Sequence, residues 1–353
     1  MPLSHLRISA LRCLAEVQLE LHPQRNYFFG PNGAGKTSLL ESVYLLGRGR
    51  SFRTRQIRRL VRRGSNGFAV YGEAEHRDRL RRLGVAFEDG RLQKRLDGNS
   101  AAGMVALAEV LPVHVIDPGI HQLIEGGPSE RRRFLDWGVF HVEREYLEAW
   151  RRYRRVLGQR NAALKGAAPA ELRAWTVALV EAGNMIHGFR QRYVESLSGA
   201  VTTAGQQLLG RAVLAEYRRG WPVDVPFEQA LRETGAADQL SGSTHVGPHR
   251  ADLEVTLETT RVRDEASRGQ QKLVAAALVL GQVWTHTTVQ QDRAVLLVDD
   301  PAAELDGQGL DRLLGALDAA PAQLLLTGLS ATHLPPRPEY PVFHVERGEV
   351  RAV

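Results

Sequence analysis

The chain has 353 residues, a formal net charge of +6 at pH 7 and an isoelectric point near 9.7. This length allows two domains, or one domain with a large insertion. One cysteine excludes an intramolecular disulfide, and no apolar run approaches the roughly 18 residues of a membrane span, so we expect a cytoplasmic protein without a membrane partner. The basic net charge favours a polyanionic partner.

The first elements in chain order are short strands, predicted at Leu6–Ala10, Val17–Leu21 and Arg25–Phe29. The third strand leads into a glycine-rich loop, and the apolar spacing from Lys36 to Leu46 then predicts a helix. A strand, a glycine loop and a helix in this order are the context of a phosphate-binding loop. The loop consists of Gly30, Pro31, Asn32, Gly33, Ala34, Gly35, Lys36 and Thr37.

This loop predicts binding of a nucleoside triphosphate, which we take to be ATP. Its glycines allow a tight turn in which successive N–H groups face the phosphates, and the helix N-terminus adds partial positive charge. Lys36 is expected to reach the β- and γ-phosphates, while the Thr37 hydroxyl is expected to bind Mg²⁺.

A strongly basic stretch follows the first helix. Eight arginines lie between Arg48 and Arg63, and no acidic residue occurs from Ser42 to Gly72. Spacing predicts an amphipathic helix with an apolar side, and arginine forks suit the geometry of DNA phosphates. Two alternatives stay open: a solvated surface helix, or a contact of Arg50 or Arg53 with nucleotide. The predicted DNA-binding residues are Arg55, Arg58, Arg59 and Arg62.

The pattern of apolar residues changes in the middle of the chain. Antiparallel strands are predicted over Phe68–Ala74, Leu83–Phe87 and Arg91–Leu96, and another strand over Val113–Ile116. Apolar residues then recur three and four apart, which predicts helices over 129–164 and from 171 to about 217. We therefore expect an N-terminal lobe over 1–119, a helical insertion over 120–245 and a C-terminal lobe over 246–353.

The C-terminal part contains two further motifs. Ser267, Gly269 and Gln270 precede a helix predicted over Leu273–Thr285, and a serine and glycine at a helix start form a second anion site. The apolar strand Ala294–Val298 then ends in two carboxylates.

In a nucleotide-binding α/β fold this strand is expected beside the phosphate loop. Asp299 is expected to hold the metal, and Asp300 to act as general base. With Lys36, these two residues are the predicted catalytic set. A helix over Leu310–Leu317 and a strand over Gln323–Thr327 complete the chain.

Together these motifs resemble the head of an ABC-type ATPase, an α/β P-loop fold that combines a mixed sheet with an antiparallel subdomain. Other stretches make the chain similar to the bacterial RecF family over essentially its whole length. They are Gly-Arg-Ser-Phe-Arg (49–53), Gly-Gly-Pro-Ser-Glu-Arg-Arg-Arg-Phe-Leu-Asp-Trp (126–137), Gln-Arg-Asn-Ala-Ala-Leu (159–164) and Gly-Pro-His-Arg-Ala-Asp-Leu (247–253). Glu304-Leu305-Asp306, after the Asp299 strand, belongs to the resemblance to the ABC-type head.

The resemblance implies an ATPase head with an arm-like helical insertion, and a homodimer that closes on ATP and DNA. It also implies a weak, DNA-dependent ATPase used as a switch. The implied partners are RecR and RecO, with which the protein would load RecA at single-strand gaps and support replication restart and SOS induction.

Two positions depart from transporter ATPases of the ABC type, and a third is a candidate for one of their motifs. Asp300 stands where those proteins usually carry a glutamate, Thr327 follows the strand that precedes their switch histidine, and Gln122 is the candidate for their Q-loop glutamine.

Two other classes are weighed against DNA repair. The 237 residues that separate Gly30 from Ser267 are far more than a compact transporter ATPase needs. The basic stretch also suits DNA rather than a membrane partner. In a chromosome-organising SMC or Rad50-like head, a long coiled coil would need sustained heptads. The insertion of roughly 125 residues, interrupted near Pro169, is too short for that.

Overall fold

The computed structural model describes residues 3–100, 103–303, 305–330 and 339–353. The chain forms two compact units, the first comprising residues 1–120, 207–209 and 276–353, and the second residues 121–206 and 210–275. The expected division at 120 and 245 stays a prediction, and the second unit extends to residue 275. Within the described ranges, no helix is both long and apolar enough to cross a membrane.

A six-stranded antiparallel sheet in the first unit has the order β2-β1-β4-β5-β6-β7. Buried and exposed residues alternate along its strands because one face covers the core. The predicted strands in this region are confirmed, although most of them are longer than expected. They are β1 (Leu3–Leu11), β2 (Leu14–Glu20), β4 (Phe68–His76), β5 (Arg79–Glu88), β6 (Arg91–Leu96) and β7 (Asn99–Ser100).

A second six-stranded sheet carries the phosphate loop and has the order β15-β14-β3-β13-β12-β8. Its five strands from β14 to β8 are parallel, and every residue of β12 is buried, as expected for a strand covered on both faces. The bounds are β3 (Arg25–Phe29), β8 (Val113–Ile116), β12 (Ala294–Val298), β13 (Ala322–Gly328), β14 (Val342–Glu346) and β15 (Glu349–Ala352).

The order of this sheet shows how β12 reaches the phosphate loop, as expected, without pairing with β3. The strand that ends at the two carboxylates, β12, is not the neighbour of β3, because β13 pairs with both. Parallel strands nevertheless end at the same edge of the sheet, so the residues that follow β3 and β12 still meet there.

Helix α1 (Lys36–Arg48) packs between the two sheets of the first unit, in one apolar core that includes Leu39, Leu40 and Leu45. The other α-helices with residues in this unit are α2 (Met104–Val110), the last three residues of α6 (Pro169–Leu209), the C-terminal part of α10 (Arg268–Gln290) and α11 (Gly307–Ala319). Asp306 caps α11 by accepting a hydrogen bond from the Gly309 amide at 2.7 Å. Glu304 lies outside the described residues.

The prediction of an amphipathic helix over Arg55–Arg62 is wrong. The segment forms only a 3-10 turn at Ile57–Leu60. Its backbone instead bonds to the end of β1: the Arg12 amide donates to the Leu60 carbonyl at 2.7 Å, and the Arg62 amide donates to the Ala10 carbonyl at 2.9 Å. These bonds satisfy backbone groups of the turn after β1, and this pairing overrides the helical spacing.

The second unit contains helices and a small sheet. The helices are α3 (Gln122–Glu125), α4 (Pro128–Val142), α5 (Tyr146–Ala163), α6 (Pro169–Leu209), α7 (Phe227–Glu233), α8 (Gly235–Ser241), α9 (Val262–Glu265) and the start of α10. The three-stranded antiparallel sheet contains β9 (Val213–Arg218), β10 (Asp252–Leu257) and β11 (Thr260–Arg261).

The helix expected to continue to about Tyr217 ends earlier. Gly210 adopts a left-handed conformation with φ of +67° and caps α6, which ends at Leu209. The next residues form β9, which pairs with β10.

Two of the stretches quoted for the family resemblance, 159–164 and 247–253, join one polar network in the second unit. Arg160 donates to Asp238 at 2.8 Å and to Thr244 at 2.6 Å, and all three residues are buried. His249 lies 2.6 Å from the Tyr153 hydroxyl through Nδ1, and 2.9 Å from the Thr244 carbonyl through Nε2. Burial lowers the pKa of His249 to about 4, so the imidazole is neutral at pH 7. These motifs serve the packing of the second unit.

Candidate nucleotide-binding site

The loop between β3 and α1 requires glycine at defined positions. Gly30, Gly33 and Gly35 have φ of +158°, +78° and +123°, and the last two lie where other residues are strained. A Cβ atom on Gly30 would lie 2.0 Å from the Val345 carbonyl oxygen. The loop therefore has the compact backbone predicted from its sequence.

Lys36 is the first residue of α1, and its side chain is buried inside the curve of the loop. Its Nζ donates hydrogen bonds to the carbonyl oxygens of Gly30 at 2.6 Å and Pro31 at 3.1 Å. Burial lowers the pKa of Lys36, and the carboxylates of Asp300 and Asp299 partly oppose this. The ammonium group is thus anchored beside the loop, as a phosphate-binding lysine requires.

Thr37 and Asp299 meet at the edge of the parallel sheet. Thr37 Oγ1 donates to the Asp299 carboxylate, 2.9 Å from Oδ2 and 3.1 Å from Oδ1. A hydroxyl and a carboxylate side by side are ligands that suit Mg²⁺.

Proteins commonly hold Mg²⁺ through one or two carboxylates together with substrate phosphates, and the Asp299 carboxylate beside Thr37 fits this pattern. No group of three or more His, Cys, Asp or Glu side chains suitable for a metal occurs in the described part of the chain.

Asp300 follows Asp299 and has a φ of +43°, in the left-handed region that aspartate enters more readily than most residues. Its backbone amide donates to Thr327 Oγ1 at 2.9 Å, and the same hydroxyl lies 2.9 Å from Asp299 Oδ1. Sequence reasoning noted Thr327 only as the residue in place of a switch histidine. The structure makes it a direct partner of both aspartates.

A cleft of about 660 Å³ in the first unit brings together part of the predicted phosphate loop and the two predicted carboxylates. It is lined by the loop from Asn32 to Thr37 and by both aspartates, and it also receives part of the basic stretch. Of the four arginines predicted to bind DNA, Arg59 and Arg62 line this cleft, whereas Arg55 and Arg58 do not. The other arginines in its wall are Arg12, Arg53 and Arg63.

The buried carboxylate of Glu41 ties both the turn after β1 and the basic stretch to α1. Glu41 is fully buried and accepts two hydrogen bonds from the Arg12 guanidinium, at 2.9 and 3.0 Å. It also accepts one from the Ser51 hydroxyl, whose oxygen in turn accepts the amides of Arg53 at 2.9 Å and Thr54 at 3.0 Å. Sequence reasoning missed Glu41, although an acid within an apolar helix was a signal of a buried pair.

The predicted second anion site begins α10, where Ser267 and Gln270 form a reciprocal cap. The Ser267 amide donates to Gln270 Oε1 at 3.0 Å, and the Gln270 amide donates to Ser267 Oγ at 3.3 Å. Ser267, Gly269 and Gln270 are exposed. Gln122, the Q-loop candidate, begins α3 in the second unit. The nucleotide roles of these residues stay predictions.

The chain is similar to known proteins over nearly its whole length. The family model for the RecF/RecN/SMC N-terminal domain matches residues 2–340. The chain is 36% identical to the DNA replication and repair protein RecF of Vibrio vulnificus (strain CMCP6), over 99% of each chain. It is 39% identical to the protein of the same name from Xanthomonas euvesicatoria pv. vesicatoria, over 98% of this chain and 97% of the relative.

Solved structures share the fold. A structure of the recombination mediator protein RecF-ATP in the RecFOR pathway matches with a TM-score of 0.88 at 24% identity, covering 99% of this chain and 97% of the other. An Smc head bound to the C-terminal winged-helix domain of ScpA matches with a TM-score of 0.59 at 15% identity, covering 100% and 97%. The fold is therefore that of an ATPase head shared by RecF and SMC proteins, and the chain belongs to the RecF family of DNA replication and repair proteins.

Proposed function

We propose that the protein is an ATP-gated, DNA-binding factor of recombinational repair. The observation that carries this proposal is the meeting of Lys36, Thr37 and Asp299 at one cleft whose wall also contains arginines of the basic stretch. A nucleotide and a polyanion would then bind at adjoining parts of this cleft.

In this proposal each residue of the site has a definite role. Lys36 and the loop amides bind the β- and γ-phosphates, and Thr37 and Asp299 hold Mg²⁺, which neutralises phosphate charge. Asp300 accepts a proton from the attacking water. Slow, DNA-dependent hydrolysis then serves as a switch.

The wider role comes from the family. ATP closes a homodimer near single-strand gaps, where the protein acts in the cytoplasm with RecR and RecO in loading RecA, and supports replication restart and SOS induction. The RecFOR pathway named for the structural relative supports the two partners, and the family membership supports DNA.

The Lys36→Met variant tests the nucleotide assignment, because the lysine is the main positive charge expected on the β- and γ-phosphates. Titration calorimetry should show that ATP binding is lost. Lys165→Met, which removes an exposed lysine after α5, is the control and should bind ATP like the wild type. Unchanged ATP affinity of Lys36→Met would refute the site.

A further inference from the structure

Thr327 places a hydroxyl in the interior of the parallel sheet. It lies in β13 after three consecutive leucines, and it is fully buried. A hydroxyl at this depth is costly unless it forms hydrogen bonds. Thr327 Oγ1 has three neighbours within reach: Asp299 Oδ1 at 2.9 Å, the Asp300 amide nitrogen at 2.9 Å and the Val298 carbonyl oxygen at 3.4 Å.

The directions of these hydrogen bonds follow from the number of hydrogens. The Asp300 amide can only donate, so the Thr327 oxygen accepts there. The one hydroxyl hydrogen then goes to the Asp299 carboxylate, because this acceptor is charged and closer than the Val298 carbonyl. One hydroxyl therefore joins the side chain of Asp299 to the backbone of Asp300.

Two threonines thus contact the Asp299 carboxylate. Thr37 is itself an expected metal ligand, whereas Thr327 is enclosed in the sheet. This inference rests on the proposed function. We propose that Thr327 is a positioning residue that holds the Asp299 carboxylate in its metal-binding orientation and fixes the position of the Asp300 backbone amide. Partners behind a metal ligand typically change metal affinity or activity by about 10–100-fold when removed.

The Thr327→Val variant tests this inference, since valine keeps the branched shape and removes both hydrogen bonds. Binding of Mn²⁺ to the ATP-loaded protein, followed by electron paramagnetic resonance, should weaken by about 10–100-fold. ATP affinity in EDTA should stay at the wild-type value, because the loop and Lys36 are untouched. Thr327→Ser, which keeps the hydroxyl, should restore Mn²⁺ affinity.

A second variant protects the experiment against misfolding. If Thr327→Val does not fold, Thr327→Cys takes its place, because a thiol is a weak donor and acceptor of nearly the same size. Wild-type Mn²⁺ affinity in the folded valine or cysteine variant would overturn the inference, and so would an equal loss in Thr327→Ser. Failure of the wild type to bind ATP in EDTA and in Mg²⁺ would overturn the proposed function instead.

Discussion

Asp300 combines a strained backbone with a position at the nucleotide cleft. Its φ of +43° is uncommon for a residue with a side chain, and its amide is held by Thr327. Such conformations persist only where the surroundings fix them, and they cluster at functional positions. The geometry is consistent with a carboxylate that must stay aimed at one place in the cleft.

Replacing Asp300 with asparagine should separate binding from hydrolysis. The amide fits the same left-handed backbone but cannot accept a proton, so ATP binding should persist while hydrolysis falls by about 10²–10⁴-fold. Wild-type turnover should itself be about 1 s⁻¹ or below, at the slow end of enzyme rates. The test is the rate of phosphate release by Asp300→Asn, compared with the wild type and with the control Asp311→Asn, which changes an exposed aspartate. Equal rates would exclude Asp300 as the base.

Residues that a short motif defines could be identified from sequence, whereas residues that act through the fold could not. Lys36, Thr37 and Asp299 each stand at a fixed place in a local pattern. Thr327 and Glu41 act on the site through strand order and helix packing. The acid within the apolar helix α1 signals a buried pair, but nothing in the local sequence identifies the partners of either residue. A buried hydroxyl or carboxylate is recognised as a positioning group only when its partners are known.

At the scale of elements, the basic stretch shows how tertiary pairing overrides periodicity. Its arginines fit a helical face, but the backbone bonds to the turn after β1, and Ser51 and Arg12 link it to Glu41. As a result the arginines divide into two sets. Arg59 and Arg62 line the nucleotide cleft, while Arg55 and Arg58 are exposed outside it.

This division predicts different effects of two charge reversals. Changing Arg55 and Arg58 to glutamate should weaken DNA binding and reduce its salt dependence, by about 0.9 in the log–log slope for each lost phosphate contact. ATP affinity should not change, because neither residue lines the cleft. Changing Arg59 and Arg62 to glutamate should weaken both ATP and DNA binding.

Fluorescence anisotropy across a salt series and calorimetry with ATP would measure both effects. Arg173→Glu on the exposed surface of α6 is a control for charge reversal outside the basic stretch. An unaltered slope for the Arg55 and Arg58 pair would show that this part of the stretch is only solvated. Normal ATP affinity of the Arg59 and Arg62 pair would show that these residues do not face the nucleotide.

At the scale of the whole molecule, the exposed cap of α10 has the chemistry to complete a second subunit's ATP site. A helix N-terminus with a serine hydroxyl and a glycine amide favours an anion such as the γ-phosphate. Two-fold symmetry would then give two equivalent composite sites. ATP should favour the dimer, whereas ADP, which lacks the bridging phosphate, should not.

The Ser267→Arg variant should bind ATP normally and remain monomeric, because a bulky side chain occupies the contact. Light scattering with ATP, in a background of Asp300→Asn to prevent hydrolysis, measures the association. Arg263→Ala, on the exposed surface of α9, is the control and should dimerise. A Ser267→Arg protein that still dimerises on ATP would refute the composite site.

The strand order of the parallel sheet has a consequence for biosynthesis. Strand β3 (Arg25–Phe29) pairs with β13 (Ala322–Gly328) and β14 (Val342–Glu346), which are translated long after it. At about 5–20 residues per second, the ribosome needs roughly 15–60 s to reach them after β3 has been made. During that time the phosphate loop exists without Asp299, Thr327 or a paired β3. The nascent chain therefore exposes an apolar strand with free edges, which is prone to aggregation until β13 and β14 pair with it.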